Sequence, residues 1–283
     1  MAEESFQVRV YLPDRMRRMG WRAYGEMAAE FWGARELLRG LIWRDLLLRV
    51  RVSFLGIFWS VAHPLALLGV FLFLKETRVF NLGTEQVHYA LFAYVGVLHW
   101  NLFAALLSNS AGSLSGASNL VAKVRFPREV LVFSACTRAL VDYLFALPVL
   151  GALCVWYGVT PAWTACWLPL ALVPLVILGT GLGMVLALTA LPIRDVAYAL
   201  PLLMTPLMFL SPVLYELPET PAWSWVRVLN PLAAFLDTLR ALLFSGTWGE
   251  AQGFLLWSLG SVVIFLGCWR FFSLVVVKVP EYA

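Results

Sequence analysis

Six apolar stretches, each near the length of a bilayer crossing, decide what this chain can fold into. They run roughly Ser53–Leu74, Tyr89–Ser108, Val130–Trp156, Trp167–Leu191, Tyr198–Tyr215 and Phe254–Val277. A spanning helix needs about 20 mostly apolar residues, because hydrocarbon offers the backbone no hydrogen-bonding partner. Hydrophobic residues make up 61% of the chain and charged residues 13%, against about 45–50% and about 25% in soluble domains. Mean hydropathy is +0.80. A soluble core built from 283 residues does not hide that much apolar surface. The expected fold is therefore an all-α polytopic membrane protein with six transmembrane helices. The fifth stretch is the shortest and holds Pro201, Pro206 and Pro212, so a bent or broken helix is expected there.

Charge gives the orientation. The first 51 residues carry ten arginines, from Arg9 to Arg51. With six crossings this segment shares a side with Lys123, Arg125, Arg128, Arg194, Arg270 and Lys278. The other side holds only Lys75, Arg78, Arg227 and Arg240. The excess of positive charge places both termini in the cytoplasm. No early apolar run followed by a cleavage site suggests a signal peptide. Basic charge also suits nucleic acid, but Glu26, Glu30, Glu36 and Asp45 interrupt it and no nucleic-acid motif is present. Nucleic acid is not expected as a partner.

Before the first span, Phe31, Ala34, Leu37, Leu38, Leu41 and Ile42 fall on one helical arc, opposite Arg35, Glu36 and Arg39. That pattern predicts an amphipathic helix lying in the membrane surface or packed on a partner. The domain plan is a polar cytoplasmic segment over residues 1–30, the amphipathic helix over 31–52, six spans over 53–277 and a cytoplasmic tail over 278–283. Between spans five and six, Pro231–Phe244 reads as a helix with proline at its start. Leu232, Phe235, Leu236, Leu239 and Leu243 share its apolar side, with Asp237 and Arg240 on the other. It is too short to cross, so a re-entrant or interfacial helix is expected.

Chemistry-bearing motifs are sparse. There is no GxxxxGK[ST] phosphate loop and no GxSxG elbow. His63, His88 and His99 lack metal-ligand spacing, and Cys136, Cys154, Cys166 and Cys268 are scattered, so no metal site is expected. Arg138 and Asp142 stand four apart within the third span, where they share a helix face and are positioned to pair. Such residues fix packing or line a pathway. Gly179, Gly181 and Gly183 permit close helix approach in the fourth span. Aromatics crowd the first two spans, including Phe54, Phe58, Trp59, Tyr94, Trp100 and Phe103. Interfacial belts explain some of them, and stacking on sugar rings is the alternative.

Four local patterns carry a resemblance. They are Arg44-Asp45 followed by Leu46 to Trp59 and Pro64; Asn119 to Glu129, which contains Lys123-Val124-Arg125-Phe126-Pro127-Arg128; Arg194-Asp195 with Pro201, Ser211-Pro212-Val213 and Tyr215; and Asn230-Pro231. In this order and spacing the chain resembles the membrane subunit of type-2 ABC exporters of cell-surface polysaccharides, the family of O-antigen and teichoic acid exporters. The resemblance covers nearly everything after about residue 30. It implies a homodimer in the bacterial inner membrane with two copies of a separate ABC ATPase. ATP and magnesium would be held by that partner, and no cofactor by this chain, which would not itself be an enzyme.

Further expectations follow from the resemblance. Asn119, Leu120, Lys123, Val124, Arg125, Phe126 and Arg128 would form the ATPase-coupling segment. Arg44, Arg49 and Arg51 would line the entry for a polyprenyl diphosphate head. The six aromatics named above would be candidate channel residues, and Tyr215, Asp237 and Arg240 would belong to an outer gate. The substrate would be a lipid-linked polysaccharide, with capsule, teichoic acid or a small amphipathic molecule as alternatives. An intramembrane glycosyl- or acyltransferase, or a passive channel, is the reading from a different class.

Overall fold

The computed structural model describes residues 21–52, 58–77, 88–124, 126–193, 195–217, 225–226 and 228–276, with the backbone alone at residues 21, 48–52, 119 and 122. Phe54 and Arg125, residues 1–20, the side chains of Arg49, Arg51 and Asn119, and the expected tail lie outside that description. The described residues form helices and turns, with no strand among them. We number the helices α1 (Trp21–Gly33), α2 (Arg35–Val52), α3 (Phe58–Glu76), α4 (Tyr89–Ala111), α5 (Ser118–Lys123), α6 (Glu129–Trp156), α7 (Leu168–Ala190), α8 (Asp195–Leu210), α9 (Pro231–Arg240) and α10 (Ala251–Val275).

Helices α3, α4, α6, α7 (extended by the 3-10 turn Trp163–Trp167) and α10 are long and apolar enough to cross a membrane. Contacts between their ends show a zigzag. At one end Arg128, just before α6, donates to the Val276 carbonyl after α10, and Tyr24 of α1 donates to Leu266 of α10 at 3.4 Å. At the other, Lys75 sits over the Tyr89 ring at 4.5 Å, His88 stacks on Tyr157 and Trp167 meets Trp248. Helix α8 is shorter, with 16 residues and Pro201 and Pro206 inside it. At 1.5 Å per residue it reaches only ~24 Å. Its buried side chains are Leu200, Met204 and Met208, four apart on a single line.

The core sits around α4. Tyr94, Leu91, Leu98 and Leu106 are fully buried on it, and α3, α6, α7, α8 and α9 all pack against it. Helix α7 approaches so closely that a Cβ at Gly179 would lie 2.8 Å from Leu106 Cδ1, and one at Gly183 2.6 Å from Ser110 Oγ. Gly181 faces the other way, where a Cβ would lie 2.9 Å from Phe265 Cα of α10. Three glycines thus seat α7 between two neighbours. In lipid, where apolar contact alone does not drive helices together, small residues and close backbones do.

The helix before the spans starts at Trp21, ten residues earlier than the sequence pattern suggests, and turns at Ala34 into α2. Its expected apolar arc is inward-facing: Leu41 is buried, and Phe31, Ala34, Leu37 and Leu38 pack on the core. Phe31 meets Phe133 of α6 at 4.6 Å between ring centroids. The partner of that arc is this chain's own third span. Trp32 and Trp43 stay exposed, as residues in the bilayer interface do.

At the opposite end, the Asn230 side chain caps α9 by accepting from Leu232 N at 3.0 Å, while its Nδ2 donates to Ser211 Oγ. Two of the four sequence patterns thereby meet. The expected apolar face of α9 is buried. Arg240, expected on the polar side, is turned inward and only 6% exposed. Its Nη1 and Nη2 donate to the Pro212 and Val213 carbonyls at 2.9 and 2.6 Å. Its guanidinium lies 3.6 Å over the Phe92 ring. The turn after α8 leaves those carbonyls without helical donors, and a fork of five N–H groups satisfies them. Gly96 lets this assembly close, since a Cβ there would strike the Val213 carbonyl oxygen and lie 2.6 Å from Arg240 Nη2.

Two stability effects follow. Gly96→Ala is expected to destabilise the protein by about 1–3 kcal/mol through overpacking, whereas Gly151→Ala, with open space around it, is not. Arg240→Met, which leaves two carbonyls unpaired, is expected to cost about 1–3 kcal/mol. Thermal unfolding of the detergent-extracted protein measures both. Wild-type melting for Gly96→Ala or Arg240→Met contradicts this account of the end carrying α9.

Candidate functional site

The end carrying α1 and α2 also carries the loop between α4 and α6. After α4 the chain makes a turn at Gly112–Leu114, a 3-10 turn at Ser115–Ala117 and then α5. Ser113 and Ser115 hydroxyls donate to the Ser110 and Gly112 carbonyls, which shortens the turn. Leu114 and Val121 are buried and Leu120 packs on the core. These apolar pegs fix α5 to the protomer. Ser118, Lys123 and Val124 face outward. Phe126 and Arg128 are half-buried, and Arg128 ties the loop to the end of α10. The loop is a structured segment between two long helices.

Asp45 is the polar centre of α2. Arg44 holds it at 2.8 Å, Arg138 of α6 approaches at 3.7 Å, and Ser134 donates to it at 3.4 Å. The carboxylate facing Arg138 is thus Asp45, 93 positions earlier, and not the expected Asp142. Helical side chains lean toward the N-terminus, so Arg138 reaches away from Asp142 and toward α2. Asp142 accepts from Ser60 of α3 at 2.7 Å. Arg44 is exposed at the surface.

The expected channel aromatics divide. Phe58 and Trp59, at the start of α3, are 56% and 60% exposed. Tyr94, Trp100 and Phe103 are buried inside the protomer and do not face its surface. Tyr94 donates to Ala146 O at 2.8 Å. The reason is the central place of α4, whose rings fill the core. At the end carrying α9, Tyr215 donates to Phe209 O at 2.9 Å and Asp237 lies 4.0 Å from Arg240. Burial pulls the Arg240 pKa down to about 10 while Asp237 and Glu216 push it back up, so it stays charged at neutral pH.

A cleft of about 340 Å³ opens between α3, α4 and α6. Ser60, His63, Asn101 and Asp142 are on its wall together with Trp59 and Tyr143. Tyr143 meets Nε2 of the buried His99, whose Nδ1 lies 2.7 Å from the Val95 carbonyl. A carbonyl only accepts, so Nδ1 carries the proton and the phenol donates to Nε2. Sequence reasoning passed over this cleft because its polar residues are spread over three spans and meet only in the fold. Among the described residues no group of His, Cys, Asp and Glu converges to hold a metal.

Comparison with known proteins fits this architecture. A family model described as ABC-2 type transporter matches residues 36–244. The chain is 28% identical over 243 residues to the O-antigen export system permease protein RfbA of Myxococcus xanthus, covering 84% of this chain and 92% of the relative. It is 29% identical over 228 residues to the protein of the same name from Klebsiella pneumoniae, covering 79% and 86%. The polysialic acid transport protein KpsM of Escherichia coli is 24% identical over 222 residues, covering 75% and 83%. The matched region takes in the Asp45 cluster, the α4–α6 loop and the Arg240 assembly, and by it the chain belongs to the ABC-2 type transporter family.

Proposed function

We propose that this chain is the membrane subunit of an ATP-driven exporter that moves a polyprenyl-diphosphate-linked surface polysaccharide of the O-antigen type across the bacterial inner membrane. The observation that carries the reading is the α4–α6 loop. It is helical, pegged by Leu114 and Val121, tied to α10 through Arg128, and presents Lys123 and Val124 outward. Such a mount transmits force from a cytoplasmic partner, and the chain has no phosphate loop of its own. The names of the relatives support a polysaccharide as cargo.

In this reading two copies of the chain sit on two copies of an ABC ATPase, with both termini cytoplasmic and α8 as the sixth crossing. ATP binding closes the ATPase dimer and pushes α5. The push reaches α4 and α6 directly and α10 through Arg128. Helices α3 and α8 expose broad apolar faces, with Phe58, Trp59, Val70 and Phe73 on one and Tyr198, Leu202 and Leu203 on the other. They separate between protomers and open a path. The basic end of α2, with Arg44, Arg49 and Arg51, attracts the anionic diphosphate head. The relative named for polysialic acid transport supports a capsule-type polymer as the second reading of the cargo.

Two tests apply. Lys123→Glu together with Phe126→Ala is expected to dissociate the neighbouring ATPase or abolish stimulation of its ATP hydrolysis, measured on the co-purified complex. If no ATPase binds the wild-type chain, the energy source is wrong and a passive channel or intramembrane transferase takes precedence. Reversing the charge of Arg44, Arg49 and Arg51 is expected to lower export of the polymer to the cell surface without altering membrane insertion. Undiminished export removes these arginines from the entry.

A further inference from the structure

The cleft between α3, α4 and α6 has a feature the transport reading does not use. Asn101 and Asp142 lie halfway along α4 and α6, at the depth where hydrocarbon is expected. Asn101 Nδ2 and His63 Nδ1 stand 3.4 Å apart, and His63 is exposed. The Asn101 amide oxygen and the His63 Nε2 have no partner among the described residues. Polar groups turned toward lipid without partners cost several kcal/mol each. The wall is completed by the Asp142 carboxylate, by Ser60 and by two rings. Trp59 is exposed at the mouth, edge-on to Phe58, while Tyr143 is held by His99.

From below, a polar stripe leads to it. Ser134, Arg138 and Asp142 are four apart on one face of α6, and Asp45 of α2 joins them at the surface end. This stripe on α6 runs from the Asp45 contact of α2 to the wall of the cleft, which is lined by α3, α4 and α6 of one chain. The cleft volume of about 340 Å³ is at the low end for a small-molecule site. It suits a ring and not a length of polymer.

The geometry points to a lateral subsite for one hydroxyl-bearing sugar ring, held by Asn101, His63 and Asp142 with an aromatic face from Trp59, in each protomer separately. Amide, imidazole and carboxylate offer both donors and acceptors to hydroxyls, and the indole offers an apolar face. A phosphodiester head offers acceptors alone and so matches this mixture of donors and acceptors less well than a set of hydroxyls does. This assignment rests on the exporter reading for its biological cargo, where the ring is the sugar next to the lipid anchor. The physical argument for a hydroxyl-bearing occupant stands on the cleft alone.

The test uses the full chain co-purified with its ATPase in phospholipid nanodiscs. The probe is an alkyl glucoside with a diazirine beside the sugar, and the comparison is an alkyl phosphocholine with the same chain. After irradiation the labelled peptides are mapped by mass spectrometry. The glucoside is expected to label the α3 and α4 segments lining the cleft in excess of the phosphocholine. Asn101→Leu and His63→Leu are each expected to cut that label roughly threefold to tenfold, the size of one lost hydrogen bond, with phosphocholine labelling unchanged. Equal labelling by both head groups means ordinary lipid contact and overturns the subsite. Absence of label at the cleft overturns it too, and loss of the dimer in the two variants would then identify a second copy as the cover. If the cleft takes glucoside selectively but no ATPase co-purifies, the subsite stands and the exporter reading falls.

Discussion

Hydrocarbon supplies no hydrogen bonds, and nearly every feature of this protein answers to that. The backbone is helical wherever it is described within the spans. Where the helix gives out, at Ser211–Tyr215, a buried guanidinium takes over the carbonyls. The same constraint explains why α4 is the centre. Helices in lipid gain by close backbone approach and by internal polar contacts, and α4 has both: the Gly179 and Gly183 faces of α7 on one side and Gly96 against the α8–α9 turn on the other.

Charged groups are arranged so that few stand alone. Asp45 gathers Arg44, Arg138 and Ser134, and so joins the interfacial helix to the third span. Arg240 is cradled between two carbonyls and an aromatic face. These clusters sit at opposite ends of the protomer and are the firm points between which α3 and α8 lie with their broad apolar faces uncovered. In the proposed exporter, that division between a braced interior and uncovered edges would leave α3 and α8 as the parts able to move.

Much of the fold was legible because apolar length is a strong signal. The α4, α6, α7 and α10 boundaries fall within a few residues of the apolar runs, and the capped start of α9 at Asn230-Pro231 is where its chemistry predicts. What the chain could not reveal is direction. Helix α4 is hydrophobic all round, and such a helix reads the same whether it meets lipid or core, so Tyr94, Trp100 and Phe103 were placed on a channel when they fill the interior. The partner of Arg138 was misread because helical spacing points to Asp142, while the contact made is with a different helix. Arg240 looked like an outward charge on an amphipathic helix because the carbonyls that draw it inward belong to a distant turn. Gly96 carried no mark at all, since a close approach is a property of the other surface.

Helix α8 buries one line, Leu200, Met204 and Met208, meets Phe71 of α3 through Phe209 near its end, and has prolines at 201 and 206 on its open side. A rod glued along a single seam has one soft coordinate, rotation about the seam. Two of its three anchors are methionines, whose unbranched side chains keep contact through many orientations. The two prolines each remove a donor and so leave the carbonyls of Ala197 and Leu202 unpaired within the helix, both on exposed residues. Rolling about the seam therefore does more than widen a gap. It would turn two bare acceptors on different sides of the open face relative to whatever lies beside the helix, so that the wettability of this edge, and not only its width, would depend on the angle at which α8 sits.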